Sequence, residues 1–126
     1  MSYYPPTYEE GLKSLGFEIL AWVTFGSYQG DYAAILKEDD TLGFVVIGYG
    51  SCSGCDALEA CNSNKEYREL LHSVIQSIYW GTQEELLSKI NDEYDDNNWY
   101  RYDDDFSQNK SKLIEALIKG EQPWSR

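Results

Sequence analysis

The chain reads as an α+β protein: a three-stranded antiparallel meander with helices packed on one face and a zinc-stabilised loop between the two parts. Two observations carry that class. Between Phe17 and Gly50 three β-rich apolar segments follow one another with only short polar or glycine turns between them. Connections that short join antiparallel neighbours, because a parallel pair needs a crossover of about a dozen residues or more. From residue 66 onward the apolar spacing changes to three and four, the period of helices that bury one stripe. At 126 residues the length prior is a single domain over 1–126, large enough to bury about two-thirds of its unfolded surface.

Each element has its own warrant. Thr7 followed by Glu10 has the form of a capping box and predicts a short helix over 8–15, weakened by Gly11 and ended by Gly16. Phe17 to Tyr28 carries Ile19, Ala21, Val23 and Phe25 on one parity and Leu20, Trp22 and Thr24 on the other, so this strand is expected to be buried on much of both faces. A turn at Tyr28-Gln29-Gly30-Asp31 leads to a strand over Tyr32–Lys37, and Glu38-Asp39-Asp40-Thr41 turns the chain into a third over Gly43–Gly50. Leu70, Leu71, Val74, Ile75 and Ile78 then predict a helix over 66–80, capped by Ser63 or Asn64 and ended by Gly81. Thr82 and Glu85 form a second box-like start, opening a helix of about three turns with Leu86, Leu87 and Ile90. The last helix, over 107–119, is drawn by Leu113, Ile114, Leu117 and Ile118.

Charge narrows the function. Twenty-two acidic residues against ten basic ones give a net charge of -12 and an isoelectric point near 4.3. Such a field repels nucleic acid and anionic membranes and speeds encounter with basic surfaces. No apolar run nears the eighteen or so residues that span a bilayer, and Met1 to Pro6 lacks the basic and apolar regions of a signal peptide. A cytoplasmic protein is expected.

All three cysteines and the only histidine, Cys52, Cys55, Cys61 and His72, fall within 21 residues. Thiolate and imidazole are ligands that zinc selects, and a CxxC pair on a Gly/Ser turn lets two sulfurs reach one ion. The expected cofactor is a structural zinc with these four ligands. His72 is the weakest of them, since the helical pattern sets it with Arg68 and Gln76 on the polar side. A redox reading of Cys52-Ser53-Gly54-Cys55 lacks the βαβ unit of thioredoxin-like enzymes, and the third reading is that the cysteines are small core fillers. Gly43, Gly48, Gly50 and Gly54 match no phosphate-binding spacing, and no serine sits in a Gly-x-Ser-x-Gly elbow.

Residues 91–105 hold seven carboxylates and four large aromatics with a single basic residue, Arg101. Alternating Asp103, Asp105, Ser107 and Asn109 imitate a calcium loop, but Gln108 stands where glycine belongs and Ile114 where a bidentate glutamate does. The sharper reading is a partner-binding surface made by Asp95, Asp96, Trp99, Tyr100, Tyr102, Asp103, Asp104 and Asp105. Spaced carboxylates there imitate phosphates, and the aromatics serve as flat anchors.

At Gly26-Ser27-Tyr28-Gln29-Gly30-Asp31-Tyr32 and at Gly48-Tyr49-Gly50-Ser51-Cys52-Ser53-Gly54-Cys55-Asp56-Ala57-Leu58 the sequence resembles small phage proteins that carry these two segments in this order, over about residues 17–62. A small acidic phage protein with clustered cysteines is also similar to anti-CRISPR inhibitors of type II-A Cas9 nucleases. That resemblance implies a non-enzymatic, stoichiometric inhibitor in the host cytoplasm that binds a basic nuclease, Cas9 foremost, and keeps target DNA from being engaged. The alternative is a zinc- or thiol-dependent enzyme of phage or host metabolism.

Overall fold

The computed structural model describes residues 3–50 and 56–121. In chain order these form α1 (Tyr8–Ser14), β1 (Glu18–Gly26), β2 (Gly30–Glu38), β3 (Thr41–Tyr49), α2 (Asn64–Gln76), β4 (Tyr79–Gly81), α3 (Gln83–Glu93), a 3₁₀ turn over Trp99–Tyr102 and α4 (Phe106–Glu121). The α+β class and the antiparallel meander are as the sequence predicts. Trp22 lies opposite Ala34, and Ala34 opposite Val45. Both capping boxes form. Thr7 Oγ1 accepts from Glu10 N at 3.1 Å while Glu10 Oε1 accepts from Thr7 N, and Thr82 and Glu85 repeat the exchange at the head of α3. Ser63 is the cap of α2.

Three expectations are corrected. The sheet has four strands in the order β1-β2-β3-β4, not three. The helix expected to run to residue 80 stops at Gln76, and Tyr79–Gly81 pairs with Leu42–Phe44 instead. Trp80 sits opposite Gly43, where a Cβ would come within 2.8 Å of the indole and 2.7 Å of Ile78. The missing side chain makes room for this strand.

The helices also cover both faces of the sheet, not one. The reason is legible in β2, whose Ala33 and Ile35 point one way and whose Ala34 and Leu36 point the other, all four buried. A strand apolar on both parities must be covered twice. On one face Ala34, Leu36, Val45 and Ile47 pack under Tyr8 and Leu12 of α1 and Tyr67, Leu71 and Val74 of α2. On the other, Val23, Phe25, Ala33, Ile35 and Phe44 pack under Leu86 and Ile90 of α3 and Leu113 and Leu117 of α4.

Gly11, which weakens α1 as an isolated helix, earns its place through packing. A Cβ there would sit 2.1 Å from the hydroxyl of Tyr67, which passes over it to donate to Thr7 O at 2.8 Å.

Candidate interaction surface at one end of the sheet

The end of the sheet where β1 turns into β2 is where the acidic aromatic segment docks. Gly26 closes β1 at φ +93, and a Cβ there would lie 2.4 Å from Gln29 O, so only glycine makes this turn without strain. β1 is an edge strand, and its outward backbone groups need partners. Asp103 Oδ2 accepts from Gly26 N at 3.2 Å, and the buried Asn109 of α4 donates through Nδ2 to Thr24 O at 2.9 Å. Loop and helix thus take two successive outward groups of the same strand. Tyr49, at the end of β3, donates its hydroxyl to Phe25 O and Ser27 O, both at 3.2 Å, and holds the turn from its other side.

The loop itself is built by local polar contacts. Asp95 Oδ1 accepts from Asn97 N at 2.9 Å, Asn98 Oδ1 from Tyr100 N at 2.7 Å, and Asn98 Nδ2 reaches back to Glu93 O. Arg101 Nη1 donates to Asp96 O at 2.6 Å, Nη2 donates to the Tyr102 hydroxyl, and the guanidinium lies 4.5 Å from the centre of the Tyr102 ring. The one cation of the segment is therefore spent inside it. Among the described residues the only salt bridge is Lys119 with Glu115, so the loop carboxylates keep an uncompensated field.

This sorts the residues expected to bind a partner. Tyr100 turns inward, half-buried, with its ring stacked 6.2 Å from Phe25; burial, with Asp31 and Asp103 beside it, raises its pKa. Asp103 and Asp95 shape the loop. Facing outward are Asp96, Asp104 and Asp105, together with Trp99 at 91% exposure and Tyr102 at 79%. Tyr28, 82% exposed on the adjoining turn, adds an aromatic that is not among the expected partner-binding residues.

Beneath the loop Tyr94 is fully buried, stacked on Phe25 at 4.0 Å, and its hydroxyl donates to Asp31 Oδ2 at 3.3 Å. Burial raises the Asp31 carboxyl above its ordinary range, opposed by the bond from Tyr94. Burial raises the Tyr94 phenol as well, with Asp31 adding to the shift, and it stays neutral throughout the ordinary pH range.

Of the expected zinc ligands, Cys52 and Cys55 lie outside the described residues. Cys61 is buried in the α1/α2 core, its Sγ 3.5 Å from Ala57 O, and burial pushes its thiol pKa up, with Glu66 and Asp56 adding to the shift. His72 is exposed on α2 beside Arg68 and Gln76. Among the described residues no group of three or more His, Cys, Asp or Glu is arranged to hold a metal ion. The calcium-like alternation fails for a specific reason: Asn109 is turned into the protein and engaged with β1. The i, i+4 series Asn109, Leu113, Leu117 was the signal that this polar residue shares the buried stripe.

No helix among the described residues is long and apolar enough to cross a membrane. What the fold and loop define is an α+β protein that carries a pre-shaped acidic surface tipped with aromatic side chains. Comparison with protein-family models, curated proteins and solved structures returns no match.

Proposed function

We propose that this protein acts by binding, as a stoichiometric inhibitor of a basic nucleic-acid-handling host protein, with the outer rim of the 95–105 loop as its contact surface. The observation that supports this reading is the pairing of Trp99 and Tyr102, almost fully exposed, with carboxylates that no cation of the loop neutralises. An ordered loop also loses little conformational freedom on binding, which leaves more of the contact energy for affinity. The resemblance of residues 17–62 to phage proteins makes a Cas9 complex the first partner to test. Such nucleases hold nucleic acid in positively charged channels, which a folded polyanion can occupy or flank. A structural zinc on Cys52 and Cys55 belongs to the same proposal and is tested by elemental analysis of the purified protein.

The deciding experiment is binding kinetics against a Cas9–guide complex. Trp99→Ala should speed dissociation by a factor of about 30, the equivalent of about 2 kcal/mol for a lost aromatic anchor. Changing Asp96, Asp104 and Asp105 to Asn should instead slow association and flatten its salt dependence, because attraction beyond about 8 Å is screened at physiological salt. Unaltered kinetics in both folded variants would remove this loop from the interface.

A further inference from the structure

The acidic loop does not stand alone at its end of the sheet. Its two inward residues, Tyr100 and Asp103, converge on the glycine that closes β1. Asp103 Oδ2 accepts from Gly26 N at 3.2 Å, and a Cβ on Gly26 would come within 3.1 Å of Tyr100 Cε1. With no side chain there, the Tyr100 ring lies directly against the backbone of the turn. Gly26 therefore does two things: at φ +93 it makes the turn, and it seats the loop. Tyr49 holds the same turn through its bonds to Phe25 O and Ser27 O. Turn and loop are fixed to each other as one surface.

Three exposed aromatics flank that shared contact. Tyr28 is two residues beyond Gly26, Trp99 precedes Tyr100, and Tyr102 precedes Asp103. Each Cα thus lies within about 8 Å of a residue that makes the contact. All three side chains are almost fully exposed, and exposed apolar surface gathered in one place marks an interaction site. No basic residue occurs between Gly26 and Asp31, and Arg101 is engaged inside the loop. Nothing within either segment offsets the outward carboxylates Asp104 and Asp105 next to Tyr102.

The loop itself shows which cation such rings accept. Arg101 lays its guanidinium 4.5 Å from the centre of the Tyr102 ring and donates to the Tyr102 hydroxyl. A guanidinium stacks on an aromatic face while its in-plane donors remain available to a carboxylate; a lysine ammonium is a compact, strongly hydrated point charge that cannot do both. Tryptophan offers the best face for this contact, and Trp99 and Tyr28 turn theirs to solvent. We infer that Tyr28 and Trp99 anchor one composite surface, turn plus loop, that takes arginine side chains of the basic partner in preference to lysine. This assignment rests on the loop being a contact surface, and it adds the turn, a second anchor and the arginine chemistry.

Nona-arginine and nona-lysine are the probes, titrated into the full chain at physiological salt by calorimetry. The two peptides carry equal charge, so their difference reads stacking and in-plane pairing, not net attraction. Nona-arginine should bind about two- to fivefold more tightly. Tyr28→Ala and Trp99→Ala leave the net charge of -12 unchanged, and each should remove about half of that preference or more. Tyr4→Ala is the control: it removes a ring that is 84% exposed near the head of α2, where Tyr3 donates to Asn64, and should leave the preference intact. Thermal melts establish that all three variants are folded. Loss in Trp99→Ala with none in Tyr28→Ala would remove the turn from the surface and leave the loop standing. A preference absent from the wild type, unmoved by both variants, or lowered equally by Tyr4→Ala would overturn the assignment and show attraction by charge or by any exposed ring. Whether the loop meets a nuclease is read separately, from the kinetics with the Cas9–guide complex.

Discussion

The two faces of the sheet are finished differently, and the contrast is clearest at β1. Toward α3 and α4, Val23 and Phe25 are buried, with Leu20 and Ala21 half-buried nearer its start, and Phe25 is clasped by Tyr94 at 4.0 Å and by Phe106 at 5.7 Å. Its residues toward α1 are less covered: Ile19 and Trp22 are half-buried and Thr24 is exposed. The short α1, only seven residues, does not reach across the whole strand. α4, with sixteen, does. The sealed face supplies a rigid floor for the acidic loop above Tyr94. The other face leaves Trp22 half-buried at its margin.

The largest test of that contrast is a pair of truncations. Phe25→Ala should cost about 3–5 kcal/mol, because it opens a cavity among rings that cannot collapse into it. Trp22→Ala, although it removes a larger side chain, should cost less than half as much, since part of its surface already meets water. Urea unfolding curves of both variants measure the difference. Equal losses would mean that the two faces are equally sealed.

Cys61 probes the same unfinished face from below. As a buried thiol bonded to Ala57 O, it should lose about 1–2 kcal/mol on change to Ser, the cost of placing a more polar group in an apolar site with one partner retained. As a zinc ligand it would lose far more, together with the metal, because in small metal sites binding energy is folding energy. Chemical denaturation with metal content measured alongside separates these: a large loss accompanied by zinc release would overturn the core assignment.

How much of this was legible in the sequence follows from the range of each signal. Local signals were read directly: the Thr7/Glu10 and Thr82/Glu85 boxes, the cap at Ser63, the meander and the stripes of α2, α3 and α4. Long-range partnerships were not. β4 is three residues whose strand character comes from the space above Gly43, 37 positions away from Trp80 by sequence. The double-sided apolar character of the strands was visible, but its consequence, helices on both faces, requires knowing which helix reaches which side. In the acidic segment, composition marked an interaction surface without telling the outward Trp99 from the inward Tyr100, since burial of Tyr100 depends on Phe25, 75 positions earlier.

Asn109 sharpens the account of the sealed face, because its amide ties α4 to the carbonyl of Thr24 at the sheet edge. Asn109→Ala should cost about 1–2 kcal/mol, the price of leaving that carbonyl without its partner. Asn109→Leu, which follows the helix stripe but also lacks the donor, should not restore the loss. Thermal melts of both variants check this, and full stability of the Leu form would mean that the stripe needs only volume at this position.

The smallest expected effect sits where the sealed face meets water, at Asp31. Its folded pKa is raised from an ordinary value of 3.8 by burial, so the ionised carboxylate is less favourable in the folded chain than in the unfolded one. The sign follows: this group's contribution to stability is fully present below its ordinary value and is lost as pH rises through its folded value, leaving a penalty at neutral pH. Asp31→Asn keeps an oxygen that can accept from the Tyr94 hydroxyl and removes the charge. It should therefore stabilise the protein at pH 7, by less than about 1 kcal/mol because the group keeps some contact with solvent. The advantage should shrink on acidification and vanish below the ordinary carboxylate range, while Tyr94, neutral throughout, contributes nothing to the slope. Unfolding free energies of wild type and variant measured from pH 7 down to the onset of acid unfolding give that difference directly. A gain independent of pH would assign the effect to packing or helix contacts, and a loss at neutral pH would mean that the ionised carboxylate is what holds the Tyr94 hydroxyl under the loop.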